Sequence, residues 1–119
     1  MIAVIYRFRL KPGREEEYKR HWQNVVNYFR EHRGAIGSTL HQSNDGLWCV
    51  YSLWPSEEMR DKAWPLTSEI REDSKALAVY IEQELAHMKA CVEEKMPDIK
   101  LNMVNDLLMT NPLICEEAV

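Results

Sequence analysis

Residues 47–54, LWCVYSLW, alternate like a strand yet are apolar on both sides: Leu47, Cys49, Tyr51 and Leu53 share one face, Trp48, Val50 and Trp54 the other. A strand of this kind needs cover on both faces. A chain of 119 residues has material for one core. Its own helices can shield one face of a sheet, so the other calls for a second molecule, most simply a second copy of the chain.

The rest of the sequence supplies the partners of that strand. Ile2, Val4, Tyr6, Phe8 and Leu10 alternate with Ala3, Ile5, Arg7 and Arg9, which predicts a first strand with one fully buried side. Lys11-Pro12-Gly13 ends it. Tyr18, Trp22, Val25, Val26 and Phe29 then follow helical spacing, with Glu15, Glu16 and Glu17 in the first turn, where the helix dipole favours acids, and Gly34 as the stop. Residues 36–43 form the strand that pairs with 47–54, and Asp45-Gly46 suits the positive backbone angles of a tight hairpin turn. Ser56 caps a short helix that Pro65 ends.

From about Asp73 to Met96 the stripe Leu77, Ile81, Leu85, Met88, Val92 and Met96 predicts a longer helix, closed by Pro97. Residues 99–109 read as a last strand with Ile99, Leu101, Met103 and Leu107 on one face. Strand, helix, strand, strand, helix pair, strand is the split βαβ or ferredoxin-like order: an α+β fold with a four-stranded antiparallel sheet and helices on one face. Dimerisation over the open face would close two such sheets into an α+β barrel. The domain is expected to span 1–108. Residues 109–119 form a tail whose Leu113, Ile114 and Cys115 are available to pack on the partner subunit.

Fifteen Lys and Arg against nineteen Asp and Glu give a net charge of -4, with the basic residues scattered between acids. Nucleic acid and anionic membranes are therefore not expected partners. Basic residues interrupt the apolar run of MIAVIYRFRL and no small-residue cleavage site follows it, so a signal peptide is not expected and the cytoplasm is the expected location. Cys49, Cys91 and Cys115 have neither CxxC nor zinc-type spacing, and His21, His32, His41 and His87 form no HxH or HxxxH pair, so no metal site is expected. The four glycines are isolated, with no phosphate-loop or dinucleotide pattern.

KPGREEEYKRHW after the first strand, and YSLWPSEEMRDKAW after the hairpin, resemble the antibiotic biosynthesis monooxygenase (ABM) domain of the dimeric α+β barrel superfamily, over roughly residues 1–108. The resemblance implies a homodimer with a pocket in each subunit between sheet and helices. It also implies oxidation of a small aromatic or polyphenolic substrate by dioxygen with no cofactor. Haem-degrading members of similar pattern carry an Asn on the first strand, a Trp after the hairpin and a later His. Here Tyr6 stands at the first position, Trp64 fits the second, and Ser74 or Lys75 falls near the third, which disfavours haem degradation. The stretch PLTSEIRED is longer than is usual for the family and leaves the shape of the pocket wall open.

The candidate residues each carry two readings. Tyr6 either bonds a substrate oxygen or relays a proton, or else is a core tyrosine with its hydroxyl satisfied by backbone. Trp64 either packs on a ligand or lids the core, and Trp22 is either core or pocket wall. Tyr51, on the face of the third strand that carries Leu47, Cys49 and Leu53, is a further substrate-binding candidate. His41 is the most plausible proton acceptor of the four histidines, or else lines the barrel. Trp48 and Trp54 are expected to be structural, and Arg7 and Arg9 to pair with Asp106. Two functions remain open: a cofactor-independent monooxygenase, and a non-catalytic small-molecule-binding or stress-related accessory homodimer.

Overall fold

A computed structural model describes residues 1–66 and 72–108 of the chain. The tail at 109–119 and residues 67–71 of the PLTSEIRED stretch lie outside the described residues. The elements are β1 (Ile2–Leu10), α1 (Glu15–His32), β2 (Gly37–Gln42), β3 (Trp48–Trp54), α2 (Glu57–Lys62), α3 (Glu72–Cys91), β4 (Val92–Lys95) and β5 (Ile99–Asn102). All strand pairings are antiparallel, in the order β2-β3-β1-β4, with β5 also on β1. The expected α+β, ferredoxin-like architecture is the one observed.

The end of the helical stripe departs from expectation. Helix α3 stops at Cys91, and Val92–Lys95 becomes a strand. The carbonyl of Cys91 accepts from Lys11 N at 2.8 Å, and Phe8, Arg9 and Leu10 pair with Lys95, Glu94 and Val92. The free edge of β1 thus captures residues whose own preference is helical, because an unpaired sheet edge leaves buried donors and acceptors unsatisfied. Strands β4 and β5 occupy the same edge, interrupted at Pro97, where Met96 N still donates to Arg7 O at 3.0 Å. They fill one position of a four-position sheet. Strand β5 ends at Asn102 rather than near residue 109 because its partner β1 begins at Ile2: after Met103 N bonds Met1 O at 3.1 Å, no backbone of β1 is left to pair.

The hairpin is longer than a two-residue turn. Ser43 N donates to Leu47 O at 2.8 Å and Gly46 N to Ser43 O at 3.0 Å, and within this turn only Gly46 adopts a positive φ. The Asp45 carboxylate accepts from the Ser43 hydroxyl and from Leu47 N, which holds its pKa below the usual range. Arg9 reaches Asp45, at 3.9 Å, and Arg7 donates to Pro97 O at 3.2 Å, so neither pairs with Asp106, whose carboxylate instead accepts from Leu108 N. Ser56 caps α2 as expected, its hydroxyl accepting from Met59 N at 3.1 Å. Gly34 ends α1 with φ +83°, a left-handed conformation that favours glycine; a Cβ there would also displace the flexible Met59 side chain.

Register fixes the faces. Val4, Tyr6 and Phe8 pair with Ser52, Val50 and Trp48, and these side chains meet the helices. The core they form is divided. One cluster gathers Ile2, Val4 and Trp54 with Val25, Phe29, Ala78 and Ile81; the other gathers Phe8, Leu10, Trp48 and Val50 with Tyr18 and Cys91. Tyr6 and Met88 touch both. Burial pushes the pKa of the Tyr18 phenol up, the Cys91 thiol adding to it, and raises that of Cys91 itself, as suits two interior groups. The opposite sheet face, with Ala3, Ile5, Tyr51, Leu53, Ile99 and Leu101, has no helix over it among the described residues.

Candidate functional site

Between the two core clusters lies a cleft of about 740 Å³. Its sheet side presents Tyr6, Val50, Ser52 and Trp54; helix α1 contributes Trp22, Val25 and Phe29, and α3 Leu85 and Met88. Aromatic and aliphatic walls with a few polar groups are what an apolar small molecule requires. Trp64 stands at the rim, 46% exposed, its ring 5.2 Å from that of Phe29. Arg33 fixes the backbone on either side of it, donating from Nη1 to Ala63 O at 3.3 Å and from Nη2 to Leu66 O at 2.9 Å. Phe29 also meets Trp54 edge-on at 6.0 Å. Lys89, Glu93 and Lys95 line the β4 side of the cleft.

Three polar features stand in this apolar setting. The Ser38 and Ser52 hydroxyls bond each other on paired strands. Trp22 Nε1 is buried without a hydrogen-bond partner among the described residues. Arg60, on α2, donates from Nη2 to the Tyr6 phenol oxygen at 3.2 Å. Partial burial is the largest influence and works against the Arg60 charge, but the bond to Tyr6 together with the nearby Asp61 and Asp98 carboxylates more than offsets it, and the pKa of the guanidinium is raised.

Behind the α1 wall is a second polar group. The Glu84 carboxylate, only 4% exposed, accepts from Asn24 Nδ2 at 2.8 Å and the Tyr80 hydroxyl at 2.6 Å, and bonds His21 Nδ1; the His21 ring stacks on His87 at 4.7 Å. Burial pushes the Glu84 pKa up, and the bonds from Tyr80, Asn24 and His21 more than reverse it, so the carboxyl sits below its ordinary range. This cluster ties α1 to α3. Among the described residues no group of three His, Cys, Asp or Glu side chains is placed to hold a metal ion.

Of the residues singled out in the sequence, Tyr6, Trp22 and Trp64 meet at the cleft. His41 and Tyr51 do not. His41 pairs with Cys49 and Thr39 with Tyr51, which puts these side chains on the outer sheet face, where His41 Nε2 bonds Thr39 Oγ1 at 2.8 Å. Trp54, expected to be structural, is both: it is 6% exposed and lines the cleft. Sequence reading missed Arg60, because a basic residue in the short charged run EEMRDK carries the signature of a solvated helix face.

A single ferredoxin-like sheet with helices on one face and an aromatic cleft between the layers defines the class. Residues 1–65 match the model of the family described as antibiotic biosynthesis monooxygenase, ABM, and the chain belongs to that family. SnoaB from Streptomyces nogalater, a cofactor-independent oxygenase, superposes with a TM-score of 0.63 at 12% identity, over 89% of this chain and 95% of that one. Rv0793 from Mycobacterium tuberculosis gives 0.63 at 15% identity, over 90% and 98%. A conserved protein from Methanosarcina mazei Go1 gives 0.63 at 12% identity, over 85% and 90%. At these identities the likeness is one of fold. A comparison with curated protein sequences found no match. Among the described residues no helix is long and apolar enough to cross a membrane.

Proposed function

We propose that the cleft binds an electron-rich aromatic and that the protein oxidises it with dioxygen, without a cofactor. The observation that carries this is the meeting of Tyr6, Trp22 and Trp64 around one aromatic-walled cavity of about 740 Å³. Family membership agrees with it, as does the description of SnoaB, a fold neighbour, as a cofactor-independent oxygenase. For an anthrone, the reaction balances as a ring CH2 plus O2 giving C=O plus H2O. The deprotonated carbon gives electrons to dioxygen, one oxygen atom stays as the carbonyl, and the other leaves as water with both hydrogens. The chain's part is to hold the ring flat against Trp22 and Trp64, place its oxygen at Tyr6 and exclude water.

The working unit in this reading is a homodimer formed over the outer sheet face. Ile99 and Leu101 are exposed there, and Val104, Leu107 and Leu108, beyond β5, are 95%, 82% and 68% exposed, an arrangement suited to packing on a partner subunit. On this view residues 1–108 are the domain and 109–119 a tail that extends the same contact.

One observation favours a second reading, a non-catalytic small-molecule-binding or stress-related accessory dimer: among the described residues no histidine lines the cleft, and the one carboxylate there, Glu93, belongs to the β4 side. Oxygen uptake separates the two. With an anthrone or naphthol, the purified protein is expected to consume one O2 per substrate oxidised, and Trp64→Ala to lower kcat/KM by about tenfold or more through lost ring packing. Ligand binding without oxygen uptake would replace the oxygenase by the accessory reading.

A further inference from the structure

We propose that Tyr6 and Arg60 form an oxyanion receptor in the cleft, and that the ligand it selects is a phenol or enol held as its anion. This rests on the reading of the cleft as an aromatic-binding site and adds the ionisation state of what it takes.

A half-buried guanidinium ordinarily finds a carboxylate, since withdrawing a charge from water without an opposite charge is costly. Three acids of α2 and the β4–β5 connection pair with lysines instead. Glu57 pairs with Lys100 at 2.9 Å, Glu58 with Lys62 at 2.9 Å, and Asp98 with Lys95 at 3.6 Å. Asp98 and the exposed Asp61 act on Arg60 only at longer range. Among the described residues the Arg60 side chain makes no ion pair, and its one hydrogen bond goes to the phenol oxygen of Tyr6. The guanidinium is thus positioned by the Tyr6 phenol oxygen rather than by a direct ion pair.

The direction of that bond matters. Tyr6 accepts from Arg60, so its own O–H remains free to donate, and no described residue accepts from it. Tyr6 lines the cleft. A ligand oxygen beside it would receive the phenolic O–H, with the guanidinium behind polarising that bond. Charge-assisted hydrogen bonds of this kind are roughly twice as strong as neutral ones, and the apolar walls strengthen them further. A neutral hydroxyl gains much less than an aryloxide or enolate. The anion is also the electron-rich form that can reduce dioxygen, so the receptor prepares its ligand for the proposed oxidation.

The probe is 4-nitro-1-naphthol, whose neutral and anionic forms absorb at different visible wavelengths, added to the full-length protein across a pH series. Quenching of tryptophan fluorescence reports occupancy, because Trp22, Trp54 and Trp64 line the cleft. The bound probe is expected to ionise about one pH unit or more below the free probe, which means about tenfold or more preference for the anion. Arg60→Met removes most of that lowering and Tyr6→Phe part of it; Arg60→Gln gives the same reading should Arg60→Met fail to fold. A bound probe that ionises at or above the free value, or a lowering untouched in the Arg60 variants, overturns the receptor while leaving the aromatic site standing. Absence of quenching at every pH removes the aromatic site and the receptor together.

Discussion

Replacing Glu84 with alanine is expected to destabilise the protein by about 2–4 kcal/mol at pH 7, since it leaves Asn24, Tyr80 and His21 without their acceptor at a helix-helix contact. The carboxylate is the one buried charged group among the described residues, and it accepts bonds from three side chains, two on α1 and one a turn away on α3. The effect depends on pH in a defined sense. Because the folded pKa lies below the ordinary value of 4.5, the stabilisation is fully present above that value and is lost as pH falls through the folded one. Urea unfolding at pH 7 and again near pH 3 measures it. The gap between wild type and Glu84→Ala should narrow in acid; an equal or wider gap at low pH would show that the carboxylate charge contributes nothing.

The second large effect concerns assembly. Ile5 sits at the centre of the outer sheet face, paired with Tyr51 on one side and Ile99 on the other. If two copies meet there, Ile5→Lys buries an unpaired ammonium in the contact and should weaken dimerisation by about a hundredfold or more. Sedimentation at micromolar concentration is expected to give twice the chain mass of 14.1 kDa for the wild type and the single-chain mass for the variant, with unchanged helical circular dichroism. A wild-type protein that sediments as one chain contradicts the proposed dimer. It would also leave the double-sided apolar pattern of β3 without its explanation.

The legible parts of the fold were those in which one period runs unbroken. In β1 and β3 strict alternation sets the faces, and in α1 the stripe from Tyr18 to Phe29 does the same, so the layer order follows from residues alone. Residues 92–96 misled because Val92 and Met96 continue the stripe of α3 in phase, while the force that makes 92–95 a strand comes from β1, more than eighty positions away. The site divides similarly. Tyr6, Trp22 and Trp64 belong to elements whose faces the pattern sets, and they converge. For His41 and Tyr51 the strand was right, but which face meets the helices depends on the register with Cys49 and Thr39. Arg60 leaves no pattern at all, because its contact with Tyr6 comes from how α2 packs against β1, fifty-four positions away.

A crystal structure of the protein with a bound naphthol or anthrone tests the central claim most directly. Density for the ring is expected inside the cleft, against Trp22 and Trp64, with its oxygen within hydrogen-bonding distance of Tyr6 Oη. Density on the outer sheet face beside Tyr51 and His41 would contradict it. So would a cleft closed by its own tryptophan side chains with the ligand excluded.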